Sequence, residues 1–209
     1  PLRVRQIPTT HTASLTPTPH SRQEIRETAP RGDDIGTRIL AAAAAGAGVK
    51  HLVHVSVIGA DTLPIGYFRA KLGAERAVQE SGVPWTTLRA AQFHDLVLAV
   101  AEKLTRALVV PAPTMRLQPV DSREVAARLV ELAHGDPSGL VADLTGPRVY
   151  EMRELLRTYL AACGKHRPIL PVRIPGRAGR AYRADDNLTL REALIGRRSW
   201  EDFLAERIA

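Results

Sequence analysis

Three side chains have types and spacing that suit proton transfer: Ser56, Tyr67 and Lys71. Ser56 lies at the carboxyl end of a β-branched, largely apolar run, VKHLVHVSV over residues 49–57. Tyr67 and Lys71 follow four residues apart in a helical stretch, so both emerge on one helix face. A free tyrosine, with a pKa near ~10, is a poor base at neutral pH. An ammonium beside it favours the phenolate. Tyr67 is then suited to pass a proton to or from a substrate oxygen, with Ser56 holding that oxygen by a hydrogen bond. Lys71 is also suited to hold a ribose hydroxyl of a cofactor. Taken alone, the YxxxK spacing fits better a half-buried tyrosine beside a solvated lysine. A buried strand ending in Ser, a Gly/Pro loop and a helix opening on YxxxK together form a narrower constraint.

Other candidates divide between chemistry and structure. His51 and His54 fall on opposite faces of one strand and cannot chelate together. His94 and Asp95 sit where a helix should start, so they either touch substrate or serve that start. Cys163, the one cysteine, stands at a helix end as a packing residue, which excludes an intrachain disulfide and a cysteine zinc cluster. Arg148 and the Arg177–Arg183 group either line a site for an anion or form a solvated basic face. No Ser–His–Asp order, phosphate-binding P-loop or metal-ligand spacing is present.

The elements that must position these residues read as follows. Residues 1–32 scatter Pro among Thr and hold no period of 2 or 3.6, which predicts a loop or a disordered tail. Asp33 and Asp34 are N-cap candidates for a helix over residues 35–45. Strand-like runs at 49–57, 85–89, 108–110, 115–120, 140–144 and 169–174 alternate with helical runs at 67–80, 93–106, 121–134 and 152–163, and a short helix closes the chain at 200–208. Asp121 with Glu124 has the spacing of a capping box. This alternation predicts an α/β fold with a mostly parallel sheet flanked by helices, whose ligands sit beyond the carboxyl ends of the strands.

With 44% hydrophobic and 24% charged residues among 209, a packed core is expected and wholesale disorder excluded. Aromatics are 4%, so the core must be aliphatic. No apolar run has bilayer-spanning length and no signal-peptide pattern opens the sequence, so no membrane role and a cytoplasmic setting are expected. The net charge of +7 is concentrated over residues 164–198, where nine basic residues face three acidic ones. Low aromatic content and scattered arginines argue against nucleic acid as the partner.

The run HLVHVSVIGADTLPIGYFRAKLGAERAVQESGVPWTTLRAAQFHD resembles the atypical short-chain dehydrogenase/reductases of the NmrA-like and epimerase-like branch. The likeness continues through LQPVDSREVAARLVELA and the LTGP turn, and covers about residues 33–209. It implies an NAD(P)-binding Rossmann fold with NAD or NADP as cofactor. It also implies Ser56, Tyr67 and Lys71 as the proton-transfer group, and residues Ala90, Ala91, Gln92 and Phe93 beside the nicotinamide. A substrate-side region is implied mainly over residues 146–209, and the substrate would be a small molecule with a carbonyl or alcohol carbon.

One departure is large. These families open with a strand, a Gly-rich turn and a helix that together hold the cofactor diphosphate. No such turn is found here. Gly46-Ala47-Gly48 follows a helix and precedes a strand, the wrong order, and Gly176–Gly179 follows no clear strand-to-helix turn and lies near the C-terminus. The sequence therefore reads as a family member lacking the N-terminal Gly-rich half, with an incomplete sheet, impaired cofactor binding and an open sheet edge that favours a homodimer. The alternative reading is a non-catalytic NmrA-like dinucleotide sensor or interaction module, which Tyr67→Phe would leave functional.

Overall fold

The computed structural model describes residues 22–189 and 192–208. Its main sheet is parallel: β1 (Leu52–Val57), β2 (Trp85–Ala90), β5 (Gly139–Leu140), β6 (Leu144–Thr145) and β9 (Leu194–Ile195). The order is β1-β2-β6-β9, with β5 also on β2, so β5 and β6 act as one interrupted strand. The β1–β2 register runs from Leu52 opposite Trp85 to Val57 opposite Ala90. Among the described strands β1 pairs with β2 only, and its first four residues are half-buried where β2 is largely buried. The parallel sheet expected from the alternation is present, and β1 is one of its edges among the described strands.

Helix α1 (Arg22–Gly46) precedes β1, and α2 (Gly66–Gln79) and α4 (Ser122–His134) pack on it. The sequence places the start of α1 at Asp33; the helix begins at Arg22, because Gln23, Glu24, Arg26, Glu27 and Ala29 are all residues that helices tolerate. The first 21 residues of the expected tail lie outside the described residues. On the outer side of α1, Ile35, Ile39 and Leu40 are exposed.

A second lobe surrounds α3 (His94–Leu104), α5 (Met152–Ala162) and α7 (Trp200–Arg207). Leu155, Leu156, Trp200 and Phe203 are fully buried there. β3 (Val110–Pro113) leaves the main sheet and pairs in parallel with β8 (Ile169–Val172), while β4 (Arg116–Leu117) pairs antiparallel with β7 (Tyr150–Glu151). Pro111 and Pro113 deprive β3 of two donors, which confines it to a two-stranded edge pair. Tyr150 ties this lobe together: its phenol donates to Glu201 Oε2 at 2.6 Å, and burial pushes its pKa up to about 12. Helix α6 (Gly176–Arg183) follows β8, so Gly176 and Gly179 do stand at a strand-to-helix turn, contrary to the sequence expectation. Gly179 has no room for a Cβ against the Ile174 carbonyl.

The rotation of α2 is set by charge. Glu75 lies on the buried side of α2 with Phe68, Ala74 and Val78. Arg89, on β2, grips it with two bonds, Nε to Oε1 at 2.9 Å and Nη2 to Oε2 at 2.8 Å, and donates Nη1 to Asp61 Oδ2 at 2.9 Å. A bidentate pair fixes direction as well as distance. One guanidinium thus joins the second strand, the second helix and the loop between Val57 and Gly66. The hydrogen bond to Glu75 raises the Arg89 pKa well above its ordinary value, so the charge is permanent.

Removing one partner of a buried pair leaves an uncompensated charge. Glu75→Gln should therefore lower the urea-unfolding free energy by about 3–5 kcal/mol. Asp61 is 49% exposed, so Asp61→Asn should cost under ~1 kcal/mol. Equal effects would show that Arg89 does not discriminate between them.

Candidate active site

Ser56, Tyr67 and Lys71 are distributed around one strand-to-helix connection. Ser56 lies next to last in β1, is 5% exposed, and its Oγ has no hydrogen-bond partner. Such a hydroxyl is costly in a folded chain unless something binds it. Tyr67 is the second residue of α2 and half exposed, its ring packed edge-on against Phe68 at 5.3 Å. Lys71 Nζ sits 5.9 Å from the Tyr67 ring centroid. The helix spacing thus brings the phenol and the ammonium together, whereas Ser56 makes no hydrogen bond to Tyr67.

The segment expected beside a nicotinamide closes the next strand. Ala90 and Ala91 are buried, and the Ala90 carbonyl accepts from Ile58 at 3.1 Å, which places residues 90–93 alongside the chain leaving Ser56. Gln92 and Phe93 are held by Val120: its N–H donates to the Gln92 carbonyl at 3.0 Å, and its carbonyl accepts from His94 N–H at 3.0 Å. Phe93 is the N-cap residue of α3, and Gln92 Oε1 is buried without a partner. Thr145 Oγ1, at the end of β6, is likewise buried and unpartnered. Three unsatisfied oxygens, from Ser56, Gln92 and Thr145, thus lie at the carboxyl ends of three parallel strands.

Below them is a second clamp that residue spacing does not reveal. Asp121 is buried and accepts from Arg123 N–H and Nη2 at 2.8 Å each, from Arg123 Nε at 3.0 Å and from Arg198 Nε at 2.8 Å. Glu206 of α7 binds both arginines. These hydrogen bonds hold the Asp121 carboxyl far below the usual range. Asp121 caps α4 through Arg123 N–H, and the expected capping box with Glu124 does not form. Glu124 instead accepts from Arg197 N–H at 2.7 Å, being drawn to the chain that leads into α7. His94 is fully buried against Trp200 and Phe203, with ring centroids 5.9 and 5.2 Å away. It is a core residue at the start of α3. His51 Nε2 lies 2.9 Å from Thr86 Oγ1, and Cys163 is partly buried at the end of α5.

The donors present fit one end of a dinucleotide. An orphan serine hydroxyl, a lysine beside a tyrosine, and the backbone of residues 90–93 suit a ribose and a nicotinamide. Among the described residues of the main sheet, no short Gly-rich turn leads directly from a strand into a helix to cradle the diphosphate. Farther out, a cavity of about 300 Å³ is lined by Thr114, Met115, Glu151, Tyr182, Arg183 and Asp185, among others.

A family profile described as NAD(P)H-binding matches residues 13–136, more than half of the sequence. The chain belongs to this NAD(P)H-binding family. The match begins upstream of Asp33, where the resemblance seen in the sequence starts. A (4-alkanoyl-5-oxo-2,5-dihydrofuran-3-yl)methyl phosphate reductase of Streptomyces griseus is 36% identical over 123 residues, which are 55% of this chain and 43% of that protein. The chain thus spans less than half the length of that curated relative. Solved structures with the same fold include an NADPH-dependent quinone oxidoreductase from Escherichia coli, with TM-score 0.69, 18% identity and coverage of 83% and 73% of the two chains. A nucleoside-diphosphate-sugar epimerase from Staphylococcus aureus has TM-score 0.63, 19% identity and coverage of 80% and 69%. A triphenylmethane reductase from Citrobacter sp., complexed with NADP(H), has TM-score 0.59, 18% identity and coverage of 90% and 74%. The fold of this NAD(P)H-binding chain is therefore the Rossmann-like fold of NAD(P)-dependent reductases and epimerases, and NAD or NADP is the cofactor class of the family. Among the described residues no helix is long and apolar enough to cross a membrane.

Burial lowers the His94 pKa, against the opposing pull of Asp121, Asp95, Glu124 and the Pro119 carbonyl. The folded chain then keeps His94 neutral while the unfolded chain binds a proton below its ordinary value of 6.5. Stability from this group is complete above that value and is lost as the pH falls. The urea midpoint should therefore drop between about pH 7.5 and about pH 5.5, and His94→Phe should flatten that drop. Identical pH slopes in the two proteins would remove His94 as the cause.

Proposed function

We propose that this protein is an NAD(P)H-dependent reductase of small carbonyl compounds in which Tyr67 is the proton donor. The observation that carries this reading is the half-exposed Tyr67 phenol, held beside Lys71 on a helix that starts just beyond the unpartnered, buried Ser56 hydroxyl. When bound, the cofactor supplies a hydride from nicotinamide C4 to the carbonyl carbon. Tyr67 gives its proton to the oxygen of the same carbonyl, so the product is the alcohol. The Lys71 ammonium stabilises the phenolate left behind. Ser56 donates a hydrogen bond to the substrate oxygen as charge builds on it. The Ala90–Phe93 backbone and the Gln92 amide bound the nicotinamide side.

The name of the Streptomyces griseus relative supports a small carbonyl-bearing substrate, since it is a reductase of an alkanoyl- and oxo-substituted dihydrofuranylmethyl phosphate. Binding of cofactor through the ribose and nicotinamide end alone is weak, because the diphosphate gains no helix N-terminus or glycine nest from these residues. A fluorescence titration of the chain with NADPH should give a Kd well above ~1 μM. At saturating NADPH with a panel of small aldehydes and ketones, Tyr67→Phe should lower kcat by about 100-fold or more at an unchanged unfolding midpoint. Turnover that survives Tyr67→Phe would refute the assignment.

A further inference from the structure

The arginines whose role the sequence leaves open between an anion site and a solvated face are sorted by the structure. Arg148 pairs with Glu154 and Glu201 and lies over the Tyr150 ring. Arg183 donates to the Ile174 carbonyl. Among the described residues, the side chains of Arg177 and Arg180 make no hydrogen bond and no ion pair. They stand three residues apart on α6, so both guanidinium groups leave the helix on one side.

That side faces the loop that leads into α2. A shallow cavity of about 320 Å³ is lined by Arg177, Arg180, Ala181 and Ala184 of α6, by Asp186, and by Thr62 and Pro64 of the loop. The two walls are joined firmly. Thr62 Oγ1 donates to the Asp186 carbonyl at 2.8 Å. Gly59, at φ +88°, presses so close to the Asp186 carbonyl that no Cβ would fit. Ala181 is buried with Leu63 and Phe68. Pro64 precedes Tyr67 by three residues, so the cavity wall lies at most about 11 Å along the chain from the proton donor.

We infer that Arg177 and Arg180 bind the phosphate of a phosphomonoester substrate whose carbonyl is presented to Tyr67. This rests on the reading of Tyr67 as proton donor. Two guanidinium groups with no partner among the described residues, on a docked helix, form a planar, many-donor surface suited to phosphate oxygens. One carboxylate, Asp186, shares the cavity, so the site holds a net single positive charge and accepts an anion of limited charge density. The cavity wall and the proton donor thus belong to one loop-to-helix segment, which suits a small substrate with phosphate at one end and carbonyl at the other. A more basic groove on α5, lined by Arg153, Arg157, Lys165, His166 and Arg167, includes no residue of the loop before Tyr67 and serves as the internal comparison.

The test is calorimetric titration of the 209-residue chain with dihydroxyacetone phosphate and with dihydroxyacetone. Arg177→Ala/Arg180→Ala should weaken binding of the phosphate ester by about tenfold or more. The same double variant should leave dihydroxyacetone and NADPH binding unchanged. Asp186→Asn, which keeps the carbonyl that binds Thr62, should tighten phosphate-ester binding. Arg153→Ala/Arg157→Ala should have no effect. Unchanged phosphate-ester affinity in the α6 double variant, or an equal loss in the α5 variant, would overturn the assignment. So would a loss confined to NADPH, since the arginines would then serve the cofactor. Tyr67→Phe should retain phosphate-ester affinity, so failure of the redox reading is seen in turnover and failure of the phosphate site in affinity.

Discussion

The Arg89 guanidinium with its two carboxylates is the constraint on which the site depends. Glu75 is almost wholly buried, and a carboxylate in that position is tolerated only when fully paired. Its fork-to-fork contact with Arg89 leaves α2 one rotation about its axis. Tyr67 and Lys71 precede Glu75 by eight and four residues, so all three ride near one face of the helix, with the phenol about 12 Å up the axis from the carboxylate. The third arm of Arg89, to Asp61, reaches the loop that carries the chain from Ser56 to α2. Strand register sets the other coordinate, because Ser56 and Arg89 face each other across β1 and β2. The same cation thus fixes where the hydroxyl, the phenol and the ammonium stand.

Asp121 performs the corresponding task one strand further on. It gathers Arg123 and Arg198, and through them Glu206, beneath the segment that positions Gln92 and Phe93. Between the two clamps lie the unpartnered oxygens of Ser56, Gln92 and Thr145. Buried polar atoms left unsatisfied at the carboxyl ends of neighbouring strands suit a place where a ligand completes the bonding. In a parallel sheet that place is the carboxyl edge, where neighbouring connections diverge and leave a crevice.

Much of this was legible in the residues. The alternation of β-branched runs with helical runs delivered β1, β2, α2, α3, α4, α5 and α7 to within a few positions, because those elements carry strong periodicity and bury one face. Tyr67 and Lys71 were found by helix spacing, which the backbone obeys. Short pieces such as β7 and β9 were not legible, since two residues hold no period and their pairing is decided by distant partners. Helix α6 was hidden by Pro175 and its glycines, residues that propensity assigns to turns and loops, yet Ala181 anchors it against the β1–α2 loop. The clamps were missed for another reason. An acid on the apolar stripe of α2 and an arginine inside an apolar strand were each visible alone, but their pairing across fourteen residues follows only from parallel register. Glu124 was drawn from its capping box to Arg197 by the same kind of long-range demand.

The most direct measurement is a double-mutant cycle on kcat, combining Glu75→Gln with Tyr67→Phe at saturating NADPH and aldehyde. The predicted result is a loss on Glu75→Gln in the parent chain that nearly vanishes when Tyr67 is already Phe, because the carboxylate acts by placing the phenol. Equal losses in both backgrounds would contradict it, and would reduce the Arg89 clamp to a matter of stability alone.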